Sequence, residues 1–194
     1  MVREAMMGMD VKPRRFTVEE YDEMGRVGIL HEDDRVELID GEIVEMSTIG
    51  SRHAACVKRL IHEFVTRMGD RAVVSAQDPV RINRLSEPQP DLAVLQPRQD
   101  YYASGHPGPA DVLLLIEVAE TSANYDREVK LPLYARAEIP EVWLIDLESD
   151  VVEAHRRPSQ GTYSDVERYG RGESIVPAAF ADLSVSVDEI AGTA

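Results

Sequence analysis

Residues 111–119 read DVLLLIEVA, an apolar run broken once, by Glu117 near its end. Near-continuous apolar runs of this kind belong to a central strand covered on both faces rather than to a strand with one wet side. A Ser/Thr loop follows, then a helix around LPLYARA, then a second apolar strand, EVWLID, ending at Asp146. Strand, helix and strand in that order predict a parallel pair joined by a right-handed crossover. Pro132 belongs in the first turn of that helix or kinks it, because a proline deeper inside costs roughly 3 kcal/mol.

Upstream, FTVEEYDEMGRVG reads as a short helix capped by Thr17, with Glu20 completing a capping box and Gly25 and Gly28 ending it. RVELIDGEIVEM is a hairpin signal, two alternating strands around Asp40-Gly41. From His53 the period lengthens. Ala54, Val57, Leu60, Ile61, Phe64 and Met68 form the stripe of an amphipathic helix that Gly69 stops. AVVSA, PVRIN and PDLAVL are predicted strands, and DYYASGHPGPAD is a loop. Downstream, VVEAHRR pairs with EVWLID through Glu148-Ser149, and the passage from TYSDVERY to LSVSVDEI finishes the sheet with a short terminal helix. The expected fold is a mixed-sheet α/β (α+β) domain over residues 16–194, preceded by a flexible tail over residues 1–15.

At 194 residues the chain fits one domain, and 43% hydrophobic with 29% charged residues is a globular balance. The opening MVREAMMGMDVKPRR has no apolar run, and no window approaches the roughly 20 apolar residues of a membrane span. The single cysteine, Cys56, excludes an internal disulfide and a thiolate zinc cluster, so a reducing cytoplasm is the expected setting. A net charge of −15 argues against tight nucleic-acid binding by charge alone, but not against chemistry in which a divalent cation bridges protein and phosphate.

Asp91 opens the strand PDLAVL directly after Pro90, and Glu117 ends the next strand 26 residues later. If those strands are neighbours, two carboxylates meet at one edge of the sheet. An acid at the tip of VLLLI is costly to bury unless it is paired, hydrogen-bonded or bound to metal. Two hard oxygen donors completed by water are what Mg²⁺ prefers.

The segment ETSANYDREVKLPLYARAEIPEVWLID, together with RVELIDGEIVEMS, His53 and PQPDLAV, resembles the Uma-two-type restriction endonuclease-like proteins of the PD-(D/E)xK nuclease superfamily. The resemblance runs from about Phe16 to Ile190. It implies a restriction-endonuclease-like core, a mixed four-stranded sheet flanked by helices, to which this chain adds an N-terminal hairpin and C-terminal strands. It also implies a DNA endonuclease that uses Mg²⁺ or Mn²⁺. Pro90-Asp91 matches the PD element and Glu117 the second acid, with the Val118 carbonyl as a third metal donor. The superfamily expects E-x-K, whereas this chain has Glu117-Val118-Ala119, and Lys130 on the following helix matches the family's lysine. Glu37 matches an acid of the first hairpin, Gln77 a polar position before the third strand, and His53 the start of the long helix. Double-strand cutting would favour a homodimer by symmetry.

Each residue also has a plainer reading. Asp91 suits a turn, Glu117 a solvent-facing strand end, Lys130 a solvated helix face. His53 could bond the backbone at a helix start, Glu37 is one hairpin acid among several, and Asp126-Arg127 suit a helix N-terminus. Tyr134 and Trp143 read as core, and Cys56 as a small apolar helix residue. The alternative function is a catalytically silent nuclease-like fold that binds a protein partner or dimerises.

Overall fold

A computed structural model describes residues 13–31 and 33–192. Residues 1–12 of the expected tail lie outside them. Arg14 pairs with Glu20, and Arg15 donates to the Asp40 carbonyl.

Helix α1, Val18–Arg26, begins as its sequence requires: the Thr17 side chain accepts from the Glu20 N–H, and the Glu20 side chain returns to the Thr17 N–H. Strands β1, Val36–Ile39, and β2, Glu42–Glu45, form the expected hairpin. Its two turn residues, Asp40 and Gly41, have φ of 48° and 79°, the pair of left-handed conformations that matches the twist of the flanking strands. Gly41 is required twice over, since a Cβ there would stand 2.5 Å from that of Arg15. The Glu87 N–H donates to the Leu38 carbonyl at 2.8 Å and pins the hairpin to the body of the protein.

Helix α2, Ser51–Met68, buries Val57, Leu60, Phe64 and Met68 of the predicted stripe together with Cys56, leaves Ala54 and Ile61 half-buried, and ends at Gly69 with φ 54°. The main sheet has six strands, the expected mixed core extended at its C-terminal edge. They are β3 (Val73–Ser75), β4 (Leu92–Leu95), β5 (Val112–Ala119), β6 (Glu141–Asp146), β7 (Val151–Ser159) and β8 (Thr162–Tyr169), in that spatial order. Within it only β5 and β6 run parallel, as the strand–helix–strand pattern predicts. One face packs Leu92, Ile116, Val118 and Trp143 under α2. The other packs Ala93, Leu115 and Leu144 under Leu131, Leu133 and Tyr134.

Three expectations are corrected. PVRIN is not a sheet strand: the N–H groups of Val80, Arg81 and Ile82 go to the carbonyls of Pro88, Pro107 and Ser86 instead. TYSDVERY ends the main sheet as expected, but the strands after it do not join that sheet. β9, Ser174–Ile175, and β10, Val185–Ser186, pair with each other in a separate ladder, followed by a helical turn, Val187–Ala191. The crossover helix starts earlier than LPLYARA, with Ala123–Tyr125 (α3), a π-helical turn Asp126–Lys130, and then α4, Leu131–Arg136. Pro132 has no N–H to give the carbonyl four residues back, and the wider turn before it absorbs the interruption. Among the described residues no helix is long and apolar enough to cross a membrane.

Candidate active site

Leu92 lies opposite Ile116 and Ala93 opposite Leu115 across β4 and β5. The same register carried one step further sets Asp91 opposite Glu117, on one face of the sheet. Side chains so opposed start only about 5 Å apart. Both acids are buried, Asp91 at 8% exposure and Glu117 at 4%.

The end of the β4–β5 ladder explains how Asp91 is held. The Ala119 carbonyl accepts from Leu147 beyond β6, so Ala119 faces that strand. Val118, the preceding residue, therefore faces β4, and its N–H donates to Asp91 Oδ2 at 2.8 Å. A strand residue sends its N–H and C=O to the same side, so the Val118 carbonyl is also directed towards Asp91. From α2, His53 Nε2 stands 3.0 Å from Asp91 Oδ2, and Gln77 Nε2 donates to Oδ1 at 3.2 Å. The hydrogen bond to Asp91 raises the His53 pKa, against the effect of burial.

Glu117 is held from the crossover helix. Tyr134 Oη donates to its Oε1 at 2.6 Å, and Lys130 Nζ lies 3.3 Å from the same oxygen. Lys130 Nζ also stands 3.1 Å from Glu37 Oε2, so one ammonium joins the hairpin to the central strand. Burial opposes its charge, but Glu117 and Glu37 outweigh that, and its pKa is raised. The Glu117 carboxyl is also raised, here by burial, up to about 8, with Lys130 only partly offsetting it.

That shift has a measurable consequence. The folded value of Glu117 lies above its ordinary 4.5, so the folded protein holds a proton that the unfolded chain releases. Its contribution is complete below 4.5 and is lost as pH rises through about 8. Lys130, raised from 10.5, contributes evenly across this window. The Tm of the cation-free protein should fall by several degrees from pH 4.5 to about 8. Glu117→Gln should remove most of that slope in thermal melts, and an equally steep variant would refute the assignment.

These groups surround a cavity of about 620 Å³ whose lining includes Glu37, His53, Asp91, Glu117, Val118 and Lys130. Gln77 touches Asp91 without lining it. Two buried polar atoms have no hydrogen-bond partner among the described residues, His53 Nδ1 and Tyr125 Oη, and both residues line this cavity.

Other residues of the site were read differently from sequence. Tyr134 is core, as expected, yet its hydroxyl serves Glu117. Asp126 does sit in a first helical turn of the crossover, yet it is not solvated there. It is buried, accepts from Ser122 Oγ at 2.9 Å, and lines the cavity, with burial raising its pKa. The available signal was its spacing of four from Lys130. Cys56 is a buried helix residue, its thiol pushed up to about 12 by burial.

Among the described residues, no three acid or imidazole groups form a cation cage on their own. The donors that could hold a hard cation are Asp91, Glu117 and the Val118 carbonyl, with water filling the cavity side. A buried carboxyl pushed to about 8 beside a second buried acid suits such an ion, whose charge would offset the burial.

A mixed sheet flanked by helices, with opposed acids at the ends of its central strands, defines a restriction-endonuclease-like α/β domain. The chain belongs to the Uma2 family, described as "Putative restriction endonuclease", whose model matches residues 18–188. A solved structure of a "putative nuclease belonging to DUF820" from Anabaena variabilis shares the fold, with a TM-score of 0.68 at 16% identity. The match covers 90% of this chain and 97% of that one. No curated protein matches the chain.

Proposed function

We propose that the protein is a metal-dependent endonuclease that hydrolyses DNA phosphodiester bonds. The observation that carries this reading is the register that opposes Asp91 and Glu117 at the floor of a cavity reached by Lys130. Family membership supports the same reaction class.

Asp91, Glu117 and the Val118 carbonyl would hold Mg²⁺ or Mn²⁺. Such an ion, when bound, neutralises the scissile phosphate and lowers the pKa of the attacking water. Lys130 supplies a fixed positive charge from the helix, in place of the strand lysine of E-x-K, and can orient water or contact a phosphate oxygen. Glu37 holds the ammonium in position and accepts from the Gln89 N–H at 3.2 Å. His53 and Gln77 orient the Asp91 carboxylate.

The test is supercoiled plasmid incubated with purified protein and Mg²⁺ or Mn²⁺, beside calorimetric titration with Mn²⁺. Nicked plasmid and saturable heat are expected. A second reading, a silent nuclease-like fold that binds a partner protein or dimerises, is favoured by the three hydrogen bonds Asp91 already accepts and by the −15 charge. Intact plasmid, intact single strands and no Mn²⁺ heat would replace the first reading with the second.

A further inference from the structure

The first turn of α2 separates two cavities. Gly50 and His53 line the acid cavity, whereas Ser51 and Arg52 line a second one of about 320 Å³. Its wall also carries Arg59, Arg171 and Asp150. Arg52 and Arg171 both address Asp150 Oδ1, at 3.3 and 3.2 Å, and Asp188 reaches Arg171 at 3.4 Å. Arg59 donates to the Ile190 carbonyl at 3.3 Å and has no carboxylate partner among the described residues. Three guanidinium groups thus meet two carboxylates, a local positive excess in a chain whose net charge is −15.

The type of cation matters as much as the sign. A guanidinium presents five donors in a planar fork that matches the oxygens of a phosphate. Arg52 uses one terminal nitrogen, on Asp150 and the Leu147 carbonyl, and Arg59 uses one, on the Ile190 carbonyl. Arg171 uses both, on Asp150, Asp188 and the Gly192 carbonyl. Among the described residues, the Nε and Nη1 of Arg52, the Nε of Arg171 and the Nε and Nη2 of Arg59 therefore remain for a further anion. The wall between the cavities is one helix, about 10 Å across with its side chains. A nucleic-acid strand advancing about 3.4 Å per nucleotide crosses that distance in about three steps.

We infer that the Arg52/Arg59/Arg171 cavity holds a backbone phosphate of the strand whose bond is cut at Asp91 and Glu117, a few nucleotides away. This rests on the nuclease reading above. It gives an acidic protein a local means of retaining its substrate, and since these arginines would meet phosphate oxygens alone, the site carries no base preference.

The test measures anisotropy of a short fluorescein-labelled single strand in chelator, so that no cleavage intervenes, over a range of KCl. Arg59→Ala/Arg171→Ala should bind about tenfold more weakly, and the slope of log affinity against log salt should shrink by about 0.7 for each phosphate the variant no longer neutralises. Equal affinity and slope in wild type and variant would overturn the inference. A second measurement needs no variant: in the wild-type protein, phenylglyoxal should modify Arg52, Arg59 and Arg171 less when the oligonucleotide is present, while Arg98 on a distant loop reacts equally. Unchanged modification at all three also overturns it. Plasmid nicking separates the two claims. Nicking with an unchanged salt slope removes the phosphate site alone, and intact plasmid with a reduced slope removes cleavage alone.

Discussion

Asp91→Ala is expected to abolish plasmid nicking, a loss on the order of 10³-fold or more, and to remove most of the Mn²⁺ heat. The size of the effect follows from how many roles converge on one carboxylate. Asp91 is half of the opposed acid pair, and it also accepts from the Val118 N–H, His53 and Gln77. Truncation leaves the Val118 N–H without its acceptor in a buried setting, which costs about 1–3 kcal/mol. Asp91→Asn separates the two consequences, since an amide oxygen still accepts from Val118 but carries no charge for a cation. A folded Asp91→Asn with no nicking and no Mn²⁺ heat is the expected result. An Asp91→Asn protein that nicks at the wild-type rate would end the metal-site reading.

Lys130→Met is the second large effect, and it acts on stability and activity together. Lys130 is buried at 5% exposure between Glu37 and Glu117, 3.1 and 3.3 Å from their oxygens. Removing one partner of a buried ion pair leaves charge uncompensated and costs about 3–5 kcal/mol. For a chain of this size that lowers Tm by roughly 10 °C. Nicking should fall on the order of 10²-fold or more, because the fixed positive charge facing the cavity is lost. Lys130→Met/Glu37→Gln should recover much of the Tm, since the stranded carboxylate is gone, yet recover no activity. Restored nicking in that double variant would show that Lys130 acts only as a structural counterion.

Much of the fold was legible along the chain. The capping box at Thr17, the Asp40-Gly41 turn, the stripe of α2 and the apolar run of β5 are local patterns, and each formed the predicted element. PVRIN failed because alternation predicts an extended backbone without naming its hydrogen-bond partners, and here those partners are loop carbonyls. LSVSVDEI failed in the same way. Its strand is real but pairs with Ser174–Ile175 rather than with the main sheet.

The candidate site divides along the same line. Residue types and order pointed to Asp91 and Glu117, because an acid at the tip of an apolar strand is conspicuous in any context. That the two lie opposite each other depends on a pairing register between strands far apart in sequence, and a slip of one residue would have sent them to different faces. Lys130 could be matched by family pattern, but its reach to both Glu37 and Glu117 comes from the helical crossover and the pinned hairpin. Tyr134 and Asp126 looked ordinary in the sequence because their roles depend on which side chains face them after folding. Side-chain chemistry and backbone periodicity are properties of short segments and are written in the chain. Convergence is a property of packing between distant segments, and it exists only once they are assembled.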